Sequence, residues 1–373
     1  MSGFSKSWNN IMLHKWNKCL YWILIVLMVI CIYLFLLFPN IEKDFRSEPI
    51  TIDTQRWNSS DTLSYYFIEY TKIHTLDWLL SHTKDSIFVV NYLNRQQNSV
   101  TLKNPKEYLI HFTNNFTTLT MFCFSDYLKT GDSAYLELFL KNVRWMTDNI
   151  TIISDTVGIW QNNDIIYDKY TLDFGWASSY SQGIGLSVIC RAYQLTKQEK
   201  YLQIAEKVLN SFNLDYKNGG ILDIDRNGNH WYLEYPANPP AYVLNGMIYG
   251  VFGIYDYWRL TGSPKANRYF QRGIQTLENN LPRYDKGYWS AYDLLFNQYC
   301  AGYNYHKNVH ISQLDVLYQI SNNSIFDKYQ RKFDRYLNEP YLSIFKLKFT
   351  LDAVSRRLTY KNPLKKYKKQ RFR

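Results

Sequence analysis

Cysteine is scarce in this chain of 373 residues, and its positions match neither a disulfide scaffold nor a metal site. Cys19 and Cys31 belong to an apolar run near the N-terminus, whereas Cys123, Cys190 and Cys300 lie far apart. Those last three allow at most one disulfide. The chain is nevertheless long enough to bury a sizeable core in one large domain or two of medium size.

Signals for cofactors and nucleic acids are missing as well. Gly183 and Gly185 follow no predicted strand and lack the rest of the dinucleotide fingerprint. His306 and His310 stand four residues apart, as metal ligands on one helical face can, but no third or fourth ligand accompanies them. We therefore expect both histidines to be packing residues, and we expect no cofactor, no metal and no nucleic-acid partner.

Long stretches of alternating apolar and polar residues are also absent, which excludes a large separate β domain. Short strands are predicted at Gly219–Ile224 and Tyr288–Tyr292, where they would cap a cleft, and at Ile50–Asp53.

Acidic residues are fewer than basic ones, and the net charge is +11. The excess lies at the two ends, because residues 361–373 contribute +7 without an acid and residues 1–18 contribute +3. A basic tail is typical of a solvated chain end. It can also hold an anionic polysaccharide through electrostatic attraction that salt screens.

Charge is missing altogether from residues 19–38, an uninterrupted apolar run. At about 1.5 Å per residue, a helix of this length crosses the roughly 30 Å hydrocarbon core of a bilayer. No small-residue cleavage site follows, so we predict a retained signal anchor. Lys6, Lys15 and Lys18 precede the run. The positive-inside rule then places residues 1–18 in the cytosol and predicts a single-pass type II membrane protein that faces the Golgi lumen in a eukaryote.

Glycosylation sequons are compatible with that location. Four are present, at Asn58, Asn115, Asn149 and Asn322. An Asn-rich chain also carries several sequons by chance, so they support the predicted lumenal side without establishing it.

Aromatic residues, in contrast, are abundant: they make up 18% of the chain and include 34 Tyr and 11 Trp. Such a composition suits a groove that stacks against sugar rings. An AT-rich genome, which favours Tyr codons, explains the Tyr count equally well.

A repeat organises the middle of the chain. A turn motif recurs at spacings of 66, 65 and 60 residues, beginning at Thr130, Thr196, Thr261 and Ser321. Eleven positions after each start is a basic residue: Lys141, Lys207, Arg272 and Lys332. Apolar residues at helical spacing flank the turns, and capping residues such as Asp132 follow them. Each copy is therefore predicted to form a helix, a short turn and a second helix.

Helical hairpins repeated about every 65 residues predict a mainly α fold, an α/α toroid with a minor β component, preceded by one transmembrane helix. We assign residues 61–345 to the toroid, 39–60 to a stem and 346–373 to a basic C-terminal tail. A toroid leaves a central cleft lined by loops. The connections Tyr216–Pro240 and Leu281–His306 are rich in Gly, Asn and aromatic residues, and we expect the site there.

Several motifs occur in a fixed order across about half of the chain. They are Gly175–Gly183, Arg191–Thr196, Trp231–Pro236, Val243–Tyr249, Leu281–Asp285, Tyr292–Leu294, and Tyr305–His306 followed by His310–Leu314. Each is weak alone, but in this order residues 151–342 resemble the C-terminal helical domain of the D-glucuronyl C5-epimerases of heparan sulfate biosynthesis.

The resemblance implies an isomerase that inverts C5 of glucuronate within an acidic polysaccharide. It implies catalytic residues at Glu234, Tyr235, Tyr292 and Tyr305, and it is compatible with a homodimer. The sequence departs from the family at Leu295, where family members carry Arg. Another cation, Arg283, Lys286 or Lys307, would have to meet the substrate carboxylate. A β-rich region that precedes this domain in animal members does not fit in full.

The chemistry of C5 inversion requires such residues independently of the resemblance. A proton alpha to a carboxylate leaves one face of the sugar and another arrives on the opposite face, so two acid/base groups must flank the ring. A further group must stabilise the growing charge on the carboxylate. A Tyr acts as a base only where its surroundings favour the phenolate, whereas a buried Glu shifts toward a base poised near neutrality.

We predict Glu234 and Tyr305 as the opposed acid/base pair, with Tyr235 and Tyr292 orienting groups or sharing the proton transfer. Two other functions stay open. One is a uronate lyase or hydrolase on the same fold, of which the lyase begins with the same deprotonation and then expels the group at C4. A membrane-tethered protein that binds sugar without catalysis is the other, and the change at Leu295 motivates it.

Overall fold

The computed structural model describes residues 20–30, 113–162, 166–167, 170–172, 175–295, 300–303 and 305–359. The chain divides into two compact units, Phe45–Leu342 and a smaller one formed by Met1–Asp44 with Ser343–Arg373. The predicted stem, the strand at Ile50–Asp53 and the basic residues 361–373 lie outside the described residues.

The larger unit is built mainly from helices. Those described are α1 (Thr113–Thr130), α2 (Ser133–Asp148), α3 (Ser179–Thr196), α4 (Glu199–Ser211), α5 (Leu244–Thr261), α6 (Pro264–Asn280), α7 (Ile311–Ser321) and α8 (Ser324–Arg335). Short 3₁₀ helices at Tyr216–Asn218 and Leu281–Tyr284 and a π-helix at Tyr305–His310 lie between them. A further helix is α9 (Tyr341–Thr359).

The strands form small two-stranded antiparallel sheets. They are β1 (Thr151–Ser154) with β2 (Val157–Ile159), β3 (Ile166–Tyr167) with β4 (Tyr170–Thr171), and β5 (Leu222–Ile224) with β6 (His230–Tyr232). In the last hairpin Asp223 faces Trp231 across the ladder. The predicted strand at Gly219–Ile224 is thus present as β5, whereas Tyr288–Tyr292 contributes isolated bridges at Ser290 and Ala291 rather than a strand.

The predicted repeat is confirmed, because the four turns share one conformation. In each, the Thr or Ser hydroxyl donates to the carbonyl four residues earlier, at 2.5 to 2.7 Å. The following residue is left-handed, with φ between 52° and 71°, and it is Gly131, Lys197, Gly262 or Asn322. Such a residue ends a helix, and the next helix begins two positions later. Asp132, Ser263 and Asn323 cap that helix by accepting a backbone N–H.

The first and second helices of the hairpins differ in how much of their surface is buried. The first helices of the second and third hairpins, α3 and α5, are buried along most of their length. The second helices, α4, α6 and α8, bury one face, as the amphipathic spacing predicts. The first helices of successive hairpins pack side by side, α1 on α3 and α3 on α5. This array confirms the mainly α class and the hairpins, while closure into a toroid stays a prediction.

Glycines allow α3 and α5 to approach until their backbones touch. A Cβ built on Gly183 would lie 2.2 Å from the Tyr249 carbonyl oxygen, and one on Gly253 would lie 2.2 Å from the Gly183 carbonyl oxygen. Close packing therefore explains both glycines, since a Cβ on Gly183 would overlap the backbone of α5 and one on Gly185 would overlap the Trp160 ring.

Residues 20–30 of the smaller unit are helical, and most of their apolar side chains are exposed. Among the described residues, no helix is both long and apolar enough to cross a membrane. The predicted span, residues 19–38, lies partly outside the described residues, so the anchor stays a prediction.

Candidate active site

Three chain segments meet at the N-terminal ends of α3 and α5. The segment after β6 joins α3 through the bond from Ser179 N–H to the Leu233 carbonyl, 2.8 Å. The segment before α5 joins the loop around residue 292 through Leu244 N–H to the Tyr292 carbonyl, 3.2 Å, and Leu294 N–H to the Ala241 carbonyl, 3.0 Å. This backbone arrangement brings together residues that are far apart in sequence.

The four predicted site residues lie along these segments. Glu234 and Tyr235 follow β6, Tyr292 lies in the loop, and Tyr305 begins the π-helix. The Tyr235 and Tyr292 hydroxyl oxygens are 3.4 Å apart. The Tyr292 and Tyr305 rings meet edge to face, with their centroids 5.7 Å apart. Glu234 and Tyr235 are buried, at 4% and 3% exposed, whereas Tyr305 is 45% exposed. The set therefore extends from the interior to solvent.

Glu234 occupies the space that a side chain on α5 would fill. A Cβ on Gly246 would lie 2.2 Å from Glu234 Oε2 and 2.3 Å from Glu234 Cβ. Burial raises the pKa of Glu234 to about 7, although the Tyr235 side chain, the Gly246 N–H and the Asn245 side chain act in the opposite direction. Oε2 has no hydrogen-bond partner among the described residues. Near neutral pH, Glu234 can both accept and release a proton.

Tyr292 is held in its neutral form. Burial raises the pKa of Tyr292 well above its ordinary value, and the neighbouring charges of Glu234 and Tyr305 add to the effect, while the hydrogen bond with Tyr235 opposes it. The Tyr292 phenol therefore keeps its proton and suits donation of a hydrogen bond rather than action as a base.

Apolar side chains surround the Tyr235 ring. The Tyr235 cluster consists of the buried residues Tyr170, Leu172, Trp176, Tyr235, Ala237, Ala241 and Val243, with Tyr292 and Leu295 packed against it. Leu295, where the family carries Arg, is thus a packing residue of this cluster.

Of the three predicted substitutes for the family Arg, Arg283 lies beside a cavity. Its Nη1 donates to Asn280 Oδ1 at 2.8 Å. Lys286 lies in a turn, where its backbone N–H donates to the Trp289 carbonyl at 3.0 Å. Lys307 lies over the Tyr303 ring, 6.0 Å from its centroid, two positions after Tyr305.

The cavity measures about 1050 Å³ and lies between the β5–β6 hairpin and the 3₁₀ helix at Leu281–Tyr284. Amide side chains, two tyrosines and three cations line it, the cations being Lys217, Arg226 and Arg283. Its two acids are already engaged: Asp223 accepts from the Tyr242 hydroxyl at 2.7 Å, and Asp225 accepts from Trp231 Nε1 at 3.0 Å. The lining suits a polar ligand that bears anionic groups. The cavity lies along the Tyr216–Pro240 connection in which the sequence predicts a site.

The histidines form a separate buried group. Ser290 Oγ lies 2.7 Å from His306 Nδ1 and 2.8 Å from His310 Nδ1, and His306 Nε2 lies 2.9 Å from the Phe333 carbonyl. The His306 ring stacks on Trp289 with centroids 3.8 Å apart. Burial lowers the pKa of both His306 and His310 to about 3, so both are neutral. They are packing residues, as predicted. No group of three or more metal-ligating His, Cys, Asp or Glu occurs in the described part of the chain.

Sequence reasoning missed three residues that shape the site. Tyr170 stacks on Tyr235, Asp293 accepts a hydrogen bond from Tyr170, and Gly246 makes room for Glu234. Asp293 and Gly246 lie in motifs that the resemblance singled out, so their positions were marked although their contacts were not. Nothing local distinguishes Tyr170 from the other tyrosines.

Comparisons with known proteins agree with the sequence motifs. The family described as "D-glucuronyl C5-epimerase C-terminus" matches residues 154–335. An uncharacterized protein of Methanocaldococcus jannaschii is 30% identical over 227 residues, which cover 57% of this chain and 72% of that protein. The D-glucuronyl C5-epimerase of Caenorhabditis elegans is 36% identical over 138 residues, which cover 34% of this chain and 22% of the nematode protein.

Two solved structures are similar at low identity. The Lin0763 protein of Listeria innocua has a TM-score of 0.45 at 13% identity and covers 73% of this chain and 72% of its own. An unsaturated glucuronyl hydrolase of Streptococcus agalactiae has a TM-score of 0.43 at 14% identity and covers 77% of this chain and 74% of its own. The family match and the nematode relative show that residues 154–335 belong to the D-glucuronyl C5-epimerase family, as its C-terminal domain.

Proposed function

We propose that this protein converts D-glucuronate to L-iduronate within a heparosan-type polysaccharide by inverting C5. The observation that carries the proposal is the grouping of a buried carboxyl, Glu234, whose pKa is about 7, with the hydroxyls of Tyr235 and Tyr292 and the half-exposed Tyr305. Membership of an epimerase family supports the same reaction type.

In the proposed reaction, one acid/base group removes the C5 proton, and the electron pair of the C–H bond moves into the adjacent carboxylate. A group on the other face then gives a proton to C5. We assign these roles to Glu234 and Tyr305. Tyr292, neutral because of its burial, hydrogen-bonds the developing charge and shares the proton relay with Tyr235. Electrons are neither gained nor lost overall, so the reaction needs no oxidant or reductant.

The substrate is proposed to be polyanionic. The cavity beside β5 and β6 supports this class, because three cations outnumber the two acids in its lining. Arg283 is one of these cations, and we propose that it compensates for the Arg that Leu295 replaces.

Incubation with unsulfated or N-sulfated heparosan in heavy water tests the reaction. Tyr305 is 45% exposed, so its proton exchanges with solvent. An epimerase must therefore place deuterium at C5 and form iduronate. Glu234→Gln is the matched control, and it should do both at least about 10²-fold more slowly.

Other outcomes separate the alternatives. Conjugated, ultraviolet-absorbing chain ends would identify a lyase that eliminates the group at C4. A hydrolase would release new reducing ends without deuterium at C5. Failure to label or cleave heparosan, chondroitin and alginate backbones would leave a protein that binds sugar without catalysis.

We further propose a type II protein with a lumenal catalytic unit. Residues 20–30 are helical within the apolar run, and Asn149 and Asn322 are exposed. Treatment of the protein from eukaryotic cells with an N-glycan-removing enzyme should increase its gel mobility, and Asn149→Gln with Asn322→Gln should reduce that shift. Unchanged mobility of the untreated and treated protein would show that these sequons are not used.

A further inference from the structure

Tyr170 on β4 makes two contacts that converge on the active site. Its ring stacks on the Tyr235 ring with centroids 4.4 Å apart and planes inclined by 23°. Its hydroxyl donates to Asp293 Oδ2 at 2.7 Å. Tyr170 is 2% exposed and Asp293 is fully buried. A short hydrogen bond to a carboxylate in a buried environment is among the stronger neutral-to-charged contacts in proteins.

Asp293 directly follows Tyr292 in the chain. The hydrogen bond from Tyr170 therefore attaches β4 to the loop that carries Tyr292, while the ring stack attaches β4 to the segment that carries Tyr235. One segment carries the Tyr235 hydroxyl and the other carries the Tyr292 hydroxyl, and these two oxygens lie 3.4 Å apart. A shift of either segment would change the distance between the two hydroxyl oxygens. Proton transfer is sensitive to small changes in the distance between reacting groups.

We propose that Tyr170 and Asp293 are positioning residues, which set the relative placement of the Tyr235 and Tyr292 hydroxyls through one ring stack and one hydrogen bond. Neither residue is assigned a contact with substrate. The kinetic part of the inference rests on the proposed function, whereas the geometric part does not.

A purely structural role is the competing explanation, and the protein contains a matched pair that distinguishes the two. The Tyr257 hydroxyl donates to Glu206 Oε2 at 2.6 Å, and Tyr257 is 5% exposed. This pair also joins a buried tyrosine to a carboxylate, but it links α5 to α4, away from the four site residues.

The test compares Tyr170→Phe with Tyr257→Phe in the full-length protein. Tyr170→Phe keeps the ring that stacks on Tyr235 and removes the bond to Asp293. We expect it to lower kcat on heparosan about tenfold, with KM within about twofold of the wild-type value. Tyr257→Phe should keep its kcat, and it should lose less thermal stability because Glu206 stays partly exposed and paired with Lys265. Equal kcat values for the two variants would overturn the proposal.

Substitutions of Asp293 provide a rescue series. The amide oxygen of Asp293→Asn can still accept from the Tyr170 hydroxyl, so this variant should keep most of the wild-type kcat. Asp293→Ala should lose about tenfold or more. An Asn variant as slow as the Ala variant would show that the carboxylate acts by its charge and not as a hydrogen-bond acceptor, contrary to the proposal.

A measurement without substrate tests the geometry even if heparosan is not the substrate. In protein labelled with ¹³C at the tyrosine Cζ, the Tyr235 and Tyr292 resonances are assigned with the Tyr235→Phe and Tyr292→Phe variants. Tyr170→Phe should shift both resonances, and Tyr257→Phe should shift neither. Resonances that stay unchanged in Tyr170→Phe would refute the positioning role. Shifted resonances in a protein without epimerase activity would refute the proposed function alone.

Discussion

Glu234 carries an ionisable group that is almost completely removed from water. It is 4% exposed, and burial places its pKa at about 7, close to the pH at which a base in a cell must both gain and lose protons. The absent Cβ of Gly246 leaves the space for its carboxyl. The chemistry proposed for this residue therefore depends on burial as much as on residue type.

Glu234→Gln should lower kcat by about 10²-fold or more, because an amide cannot take the C5 proton. In the wild-type protein, kcat should rise as pH increases through about 7, since the carboxylate is the basic form. That limb should disappear from the residual activity of the variant. Steady-state assays between pH 5 and 9 measure both effects, with Glu206→Gln as the control and circular dichroism to verify folding. Near-normal turnover of Glu234→Gln would remove Glu234 from the mechanism.

The same raised pKa should make the wild-type protein less stable at higher pH. Between the ordinary value of 4.5 and about 7, the folded state binds more protons at Glu234 than the unfolded state does. The free energy of unfolding therefore falls through this window, and the loss is complete above about pH 7. Glu234→Gln lacks this loss. Its stability relative to wild type should increase from pH 4.5 to pH 8, by at most about 3 kcal/mol.

Urea unfolding of both proteins at the two pH values measures this difference. A constant gap between wild type and variant would contradict the raised pKa, whatever the effect of the substitution on turnover.

At the scale of elements, the contact between α3 and α5 sets the position of the segments that precede them. Ser179 Oγ at the start of α3 donates to the Gly246 carbonyl on α5 at 2.9 Å. Farther along, Gly183 and Gly253 bring the two backbones into contact. The site thus rests on a helix pair with no room for additional atoms at its crossing.

Gly183→Ala should destabilise the fold by about 3 kcal/mol or more, because its Cβ would overlap backbone atoms that cannot rotate away. Gly250→Ala is the graded control. Its Cβ would meet the Phe212 ring at 3.0 Å, and a side chain can adjust by a few tenths of an ångström. Thermal and urea unfolding should rank the stabilities as wild type, Gly250→Ala and then Gly183→Ala. Equal stabilities for the two variants would show that the helices can separate at little cost.

At the scale of the whole molecule, charge is concentrated at the chain ends, with +7 in residues 361–373. Replacing the seven basic residues of this tail by Gln keeps its length and removes its charge. We expect weaker binding of long heparosan chains at low salt and a flatter dependence of affinity on salt, since the tail acts by screened attraction. Short oligosaccharides should be affected less.

Titration of heparosan of two lengths at several salt concentrations measures the effect of the tail. Replacing two exposed cations elsewhere, Arg268 and Lys328, by Gln tests whether loss of positive charge at other surface positions has the same effect per charge. An affinity at low salt equal to that of wild type would show that the tail does not contact the polymer.

Much of the architecture could be predicted from local patterns. The turns that begin at Thr130, Thr196, Thr261 and Ser321 form as predicted, because the hydroxyl bond, the left-handed residue and the next cap are decided within a few neighbouring residues. The prediction of a strand at Tyr288–Tyr292 was wrong, since Ser290 and Ala291 form only isolated bridges. A bridge depends on which segments the fold places beside it, and the residues alone do not determine this.

The amino-acid sequence by itself indicated the family, the hairpin repeat and the four candidate site residues. Each of these depends on short motifs and on their spacing along the chain. Tertiary structure decided what those residues can do. It placed the Tyr235 and Tyr292 hydroxyls 3.4 Å apart, joined Tyr170 to Asp293 across 123 residues, and buried Glu234 until its pKa rose to about 7. Burial, hydrogen-bond partners and ring contacts depend on segments that are distant in sequence, and only the packing of the helices brings those segments together.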